Sequence, residues 1–197
     1  MPLAILLAAA WIEVLSPREI LAEMRLSLDF LQADWSDLPP RQRSVRATCD
    51  YSWDLLEGRE REVFQALCLF RGGFTRRAAE FVSGARPAEL RRLVDKSLVI
   101  SVHDGNETRY RRLEMIRQYA REKLAESGEG TIYRNRHLAY FLKWVSDIEP
   151  GLRGPQQVEL LNRLENEIDN VRSALEWAQE CDPEAGLRLA SMLKWFW

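Results

Sequence analysis

The sequence predicts a mainly α protein that carries one β-hairpin near its middle and closes on antiparallel helices. Three observations carry this reading. Apolar residues recur at intervals of three and four from Val45 to Val94, the period then drops to two across Leu98, Ile100 and Val102, and from Leu161 to Ala178 the spacing becomes a regular 3, 4, 3, 4, 3.

Taken in order, Pro2 stands where a helix start tolerates proline, and residues 3–14 are apolar with Glu13 as the only charge. A helix there demands burial. Ser16, Pro17 and Glu19 supply the N-cap, first-turn proline and third-position glutamate of a second helix running to about Leu26. Residues 27–43, with Asp34, Asp37, Pro39 and Pro40, read as a connector. Val45, Thr48, Cys49, Ser52, Leu55 and Leu56 then form a helical face closed by Gly58. Val63, Phe64, Leu67 and Cys68 form the next, stopped at Gly72-Gly73. A short helix is expected over 78–82, and Leu90, Leu93 and Val94 mark another after Pro87.

Leu98, Ile100 and Val102 alternate with Val99, Ser101 and His103, Asp104-Gly105-Asn106 supplies a turn, and Thr108, Tyr110 and Arg112 lie on the return strand. An isolated hairpin is only marginally stable and leans on helices, so helices followed by a β-ribbon describe a winged-helix domain. Met115, Ile116, Tyr119, Ala120 and Leu124 restore helical spacing, and Leu138, Phe141, Leu142 and Val145 continue it up to Pro150-Gly151. The seam of Leu161, Leu164, Ile168, Val171, Leu175 and Ala178 needs an antiparallel neighbour, which Leu187, Ala190, Leu193 and Phe196 supply after Asp182-Pro183. Such a pair is one unit of an α-solenoid, and Trp195-Phe196-Trp197 leaves an apolar end for stacking to continue.

Composition narrows the class. The 197 residues are 46% hydrophobic and 29% charged with 10 Gly and 8 Pro, which excludes collagen, disordered tails and disulfide scaffolds. Cys49, Cys68 and Cys181 are too few and too scattered for paired bridges or a zinc cluster, and imply buried thiols in a reducing cytoplasm. The apolar opening has no basic flank and falls short of the roughly 20 residues that a membrane span requires, so no membrane partner is expected.

Catalytic patterns are missing from the sequence. There is no G-x-x-x-x-G-K-[ST] loop, and Gly72-Gly73 lacks the lysine and hydroxyl partners of a phosphate cradle. His103, His137 and the cysteines share no ligand spacing, so no metal site is expected. Cys49 and Cys68 fall on apolar stripes, and Glu165, Glu167 and Asp169 are assigned to the solvated side of the seam. No catalysis by this chain is expected. Charge is unevenly spread: residues 71–123 hold thirteen basic and seven acidic residues, a net +6, and the remainder carries -8. A basic winged helix can seat a helix in the DNA major groove and its wing along phosphates, with Arg91, Arg92, Arg109 and Arg111 as contacts. Mutual attraction between a basic domain and acidic flanks accounts for the same distribution.

Several segments in order resemble one family, the bacterial signal-transducing ATPases of the STAND class found in AfsR-like and LuxR-like regulators and related to plant NB-ARC proteins. Met1-Pro2-Leu3-Ala4-Ile5 with Leu7-Ala8-Ala9-Ala10 is similar to the helix that follows their nucleotide-binding core. Leu38-Pro39-Pro40-Arg41-Gln42-Arg43 with Tyr51-Ser52-Trp53-Asp54-Leu55-Leu56, then Phe70-Arg71-Gly72-Gly73-Phe74-Thr75 and Leu93-Val94-Asp95-Lys96-Ser97-Leu98-Val99, continue the likeness. It runs on through Arg109-Tyr110-Arg111 and Leu113-Glu114-Met115-Ile116, and Glu167-Ile168-Asp169-Asn170-Val171-Arg172-Ser173-Ala174-Leu175-Glu176-Trp177 resembles the start of their tetratricopeptide-like repeats.

The resemblance implies three parts: a helical tail of the nucleotide-binding module over 1–35, a winged-helix domain over 36–128, and the start of a helical repeat domain over 129–197. It implies a regulatory and interaction fragment of a transcriptional regulator, in which the winged helix relays nucleotide state to the repeats. ATP or ADP with magnesium would bind the parent protein, and no cofactor this fragment. Pro2 matches the family proline that packs on adenine. The family's Met-His-Asp triplet falls on Arg112-Leu113-Glu114, where no histidine stands. Its partners would be the missing nucleotide-binding domain, further repeats and other proteins, with DNA binding as the alternative function. With apolar surface expected at both ends, the 197-residue chain should self-associate, while a span of about 36–128 should sediment as a monomer across a concentration range.

Overall fold

The computed structural model describes residues 2–9, 11–12, 14–31, 44–104, 107–194 and 196. The proline-rich motif over 38–43, the hairpin turn at 105–106, and Trp195 and Trp197 lie outside the described residues. The first helix, α1 (Pro2–Ala9), is shorter than the apolar run suggests, and a turn replaces its continuation, with Leu15 N–H donating to Trp11 O. Trp11 there stacks on Phe30 at 4.8 Å, while Leu7 is buried and Ile5 exposed. In α2 (Pro17–Leu26) the capping box is formed: Ser16 N–H donates to the Glu19 carboxylate and Glu19 N–H to the Ser16 hydroxyl.

Helix α3 (Val45–Asp54) is capped by Ser44, whose hydroxyl accepts from Ala47 N–H. It ends before Gly58, which opens α4 (Gly58–Leu67) instead of closing α3. The reason is Glu60, whose carboxylate accepts from Glu57 N–H and fixes a helix start there. Gly72, at φ +80, turns the chain into a short strand, β1 (Gly73–Thr75), so the Gly-Gly pair enters a sheet as well as following a helix. Then come α5 (Arg76–Ser83), α6 (Pro87–Asp95), β2 (Ile100–Asp104) and β3 (Glu107–Arg111). The strands form an antiparallel sheet in the order β1-β3-β2, with Phe74 opposite Tyr110 and Ser101 opposite Tyr110 on the other edge. This helix, strand, helix, helix, hairpin order is the winged-helix arrangement; its third strand was invisible in the period-two pattern because β1 is three residues long.

Four helices complete the described chain: α7 (Glu114–Ser127), α8 (Gly130–Ile148), α9 (Gln157–Cys181) and α10 (Pro183–Met192). Short connectors make the last three antiparallel neighbours, with α9 packed on both α8 and α10. The buried stripe of α9 is Leu160, Leu164, Glu167, Asn170, Val171, Ala174 and Ala178, displaced from the expected seam, with Leu161, Ile168 and Leu175 only half-buried. On α10, Ala185, Gly186 and Leu189 face inward and Leu187 is exposed, contrary to the sequence reading. Gly186 permits this approach, since a Cβ there would stand 3.1 Å from that of Ala178.

One hydrophobic core runs from Ala4 to Leu193 without a break at residue 128. Its centre is an aromatic file: Tyr110 stacks on Phe74 at 5.7 Å, Phe74 on Phe70 at 4.9 Å, and Phe70 meets the edges of His137 and Phe141 on α8. The span 36–128 therefore shares its core with α8, and a cut at 128 would bare Phe70. Phe74→Ala should lower stability by about 3–5 kcal/mol, the range for deleting a buried aromatic ring, and urea denaturation will read the loss as a lowered midpoint.

Candidate functional site

The most built feature joins the sheet to α9. Arg109, central in β3, points off the sheet and is only 8% exposed. Its Nη1 donates to Glu167 Oε1 at 2.5 Å and its Nη2 to Asn166 O at 3.4 Å. Glu167, 6% exposed, accepts at its other oxygen from Asn170 Nδ2 at 2.6 Å. Asn170, wholly buried, donates also to Gly73 O at 2.8 Å, and its own oxygen accepts from Arg71 N–H at 2.6 Å. The Asn170 amide thus satisfies backbone groups on both sides of the Gly72 turn. At the solvent edge the Arg71 guanidinium grips Glu176 with both nitrogens, raising the arginine's pKa and holding the Glu176 carboxyl below the usual carboxylate range.

Glu167 is therefore not on the solvated side. Leu160, Leu164, Glu167, Val171, Ala174 and Ala178 form a 4, 3, 4, 3, 4 series, and the signal available in the sequence was a carboxylate standing in a seam position. The cation that pairs with it lies 58 residues earlier, beyond any local pattern.

The other sequence-chosen residues are scattered. Arg91 on α6 is exposed and reaches Asp95 only at 3.8 Å. Arg92 bonds Glu60 at 3.1 Å and Glu57 at 3.4 Å. Arg111 is exposed and makes no ion pair among the described residues, whereas Arg109 is withdrawn from solvent into the bridge to α9 and presents nothing to a phosphate. Pro2 is the first residue of α1, and its side chain lies outside the described residues. Glu60 is an unanticipated hub: burial pushes its carboxyl up, but Lys96, the Glu57 amide and Arg92 outweigh that and hold it below the ordinary value.

Cys49 and Cys68 are buried and their thiols are pushed up to about 11 by desolvation, the reverse of an activated nucleophile. No group of acidic, histidine and cysteine side chains among the described residues could hold a metal ion, and no helix of the described residues is long and apolar enough to cross a membrane. At the Arg112-Leu113-Glu114 triplet, Arg112 donates to Phe70 O and lies over the Phe74 ring, Leu113 packs on the core, and Glu114 pairs with Arg117.

Over its whole length the chain is 36% identical to part of a protein of Mycobacterium tuberculosis (strain ATCC 25618 / H37Rv). That protein and its Mycobacterium bovis counterpart, which matches at the same identity, are each named "Putative HTH-type transcriptional regulator". The chain spans only 23% of their length. An uncharacterized M. tuberculosis protein is 37% identical over 137 residues, covering 65% of this chain and 35% of its own length. No family model and no solved structure matches the chain significantly.

Arg109→Met should strand the buried Glu167 carboxylate and destabilise by about 3–5 kcal/mol, while Arg109→Met with Glu167→Met should restore most of the loss. A double-mutant cycle in urea checks both outcomes.

Proposed function

We propose that this chain is the relay segment of a transcriptional regulator of the STAND ATPase class, in which a winged helix passes nucleotide state to a scaffold of tetratricopeptide-like repeats. The observation that carries the reading is the buried bridge from Arg109 in the sheet to Glu167 and Asn170 on α9. A relay needs two parts that hold one another in a specific arrangement, because a ligand shifts an equilibrium only by what it gains in one state over the other. A bridge of charged, directional contacts meets that need better than apolar packing, which tolerates sliding. The transcriptional part of the proposal rests on the name of the relatives that match the whole chain, and the ATPase part on the motif resemblance. Nucleotide hydrolysis, with its magnesium, belongs on this reading to the parent protein outside this chain, and Pro2 is the one residue here assigned to adenine.

A second reading, direct DNA binding, draws on Arg91 and Arg111, exposed on α6 and β3. It gives salt-dependent duplex binding with a slope of about -0.9 per neutralised phosphate, and no duplex binding at low salt excludes it.

Hydrogen exchange tests the relay. In Asn170→Ala, amides of β1, β3 and α9 should exchange faster together, and α2 should be unchanged. Loosening confined to α9 would count against a mechanical link. The purified chain should release no phosphate from ATP above a protein-free control.

A further inference from the structure

Where α7, α8 and α9 meet, the surface opens into a cleft of about 860 Å³ whose lining includes Arg71, Arg117, Arg121, Arg134, His137 and Trp177. This volume suits a small molecule. Its charges do not cancel locally. Arg71 is spent on Glu176, Arg117 on Glu114, and Glu122 on Arg46. Arg121 and Arg134 have no carboxylate partner among the described residues, and the unpaired carboxylate of the lining is the exposed Glu180. Arg134 lies over the Trp177 ring, Cζ 4.9 Å from its centroid, which positions its guanidinium without neutralising it. At the cleft wall, the Cys68 thiol feels Arg112, Arg117, Arg121 and Arg134 together.

Two further observations converge on the same place. The 19-residue helix α8 begins at the cleft, with Gly130 and Thr131 in its lining and no side chain capping it, so the positive end of its dipole lies beside the space. One face of α8 then carries Gly130, Arg134 and His137, spaced four and three apart. His137 is 3% exposed, and its buried Nε2 has no hydrogen-bond partner. An orphaned buried ring nitrogen calls for a ligand or ordered water. Desolvation and Arg71 keep the ring neutral, with its pKa pushed down to about 3. It can therefore donate one N–H to an anion without adding charge. Nε and Nη1 of Arg112, near Cys68 though not itself in the lining, are also buried without an acceptor.

We propose that this cleft binds a small anion, a phosphate- or carboxylate-bearing molecule, held by Arg121 and Arg134 beside the start of α8, with the orphaned His137 ring in its wall. Its walls come from α7, which follows the wing, and from α8 and α9, so an occupant would bridge the winged-helix part and the long helices. The inference rests on the chemistry of the cleft and is independent of the ATPase assignment.

Titration of the full chain with inorganic phosphate and, separately, with succinate tests it by calorimetry and by NMR of the His137 ring and arginine Nε signals. Saturable one-to-one binding of either probe is expected, with a shift of the His137 signals. Arg121→Ala, at an exposed unpaired position, should weaken it at least about tenfold at an unchanged thermal midpoint, as should Arg134→Gln. Arg76→Ala, outside the cleft, should leave it intact. Which probe binds separates a phosphate from a carboxylate ligand. No saturable binding of either up to about 10 mM at low ionic strength, or binding equal in the two cleft variants and the wild type, would overturn the proposal.

Discussion

The buried pairing of Arg109 with Glu167 is the constraint on which the rest of the arrangement depends. Two charges removed from water are tolerated only where hydrogen bonds compensate them, and here Arg109 donates to Glu167 and to Asn166 O, while Glu167 accepts also from Asn170, itself held by the backbone about Gly72. Because each partner is directional, the network fixes how far along α9 the sheet can sit. A shift by one helical turn would leave Glu167 and Arg109 buried and alone.

The aromatic file reinforces this from the apolar side. Tyr110, Phe74 and Phe70 carry one face of the sheet to His137 and Phe141 on α8, while Arg109 on the central strand and Gly73 on the edge strand β1 are tied to Glu167 and Asn170 of α9. The two contacts are different in kind. Packing supplies most of the stabilisation and is indifferent to small slides, whereas the polar bridge contributes less net free energy and specifies one register. Together they make the three-stranded sheet and the α8–α9 pair one mechanical body. That is why the core has no gap at residue 128, and why the cleft at α7, α8 and α9 sits at a place that feels both halves.

Charge on this molecule is better read as internal wiring than as a coat. Of the basic residues crowded into 71–123, Arg71, Arg92, Lys96, Arg109 and Arg117 are committed to carboxylates of α4, α7 and α9. Of the rest, Arg76, Arg86, Arg91 and Lys123 pair with carboxylates three or four residues away, and Arg77, Arg111, Arg112 and Arg121 have no carboxylate partner among the described residues. Mutual attraction between the basic segment and its acidic flanks, one of the two readings that net charge allowed, operates at Arg109–Glu167 and Arg71–Glu176.

Local chemistry was legible in the sequence. The Ser16 capping box, the switch to period two and the helices beyond it all follow from interactions within a few residues, which sequence spacing encodes directly. Of the three cysteines expected to be buried, Cys49 and Cys68 are, since they sit on apolar stripes, whereas Cys181 at the end of α9 is exposed. What the tertiary structure alone decided was anything requiring a distant partner. Strand β1 exists because β3, about 35 residues later, offers it an edge. Glu167 and Asn170 became interior because Arg109 and the Gly72 turn reach them across more than 50 residues. Neither residue type announces burial, and a carboxylate in a seam looks like a solvated one until its cation is in place.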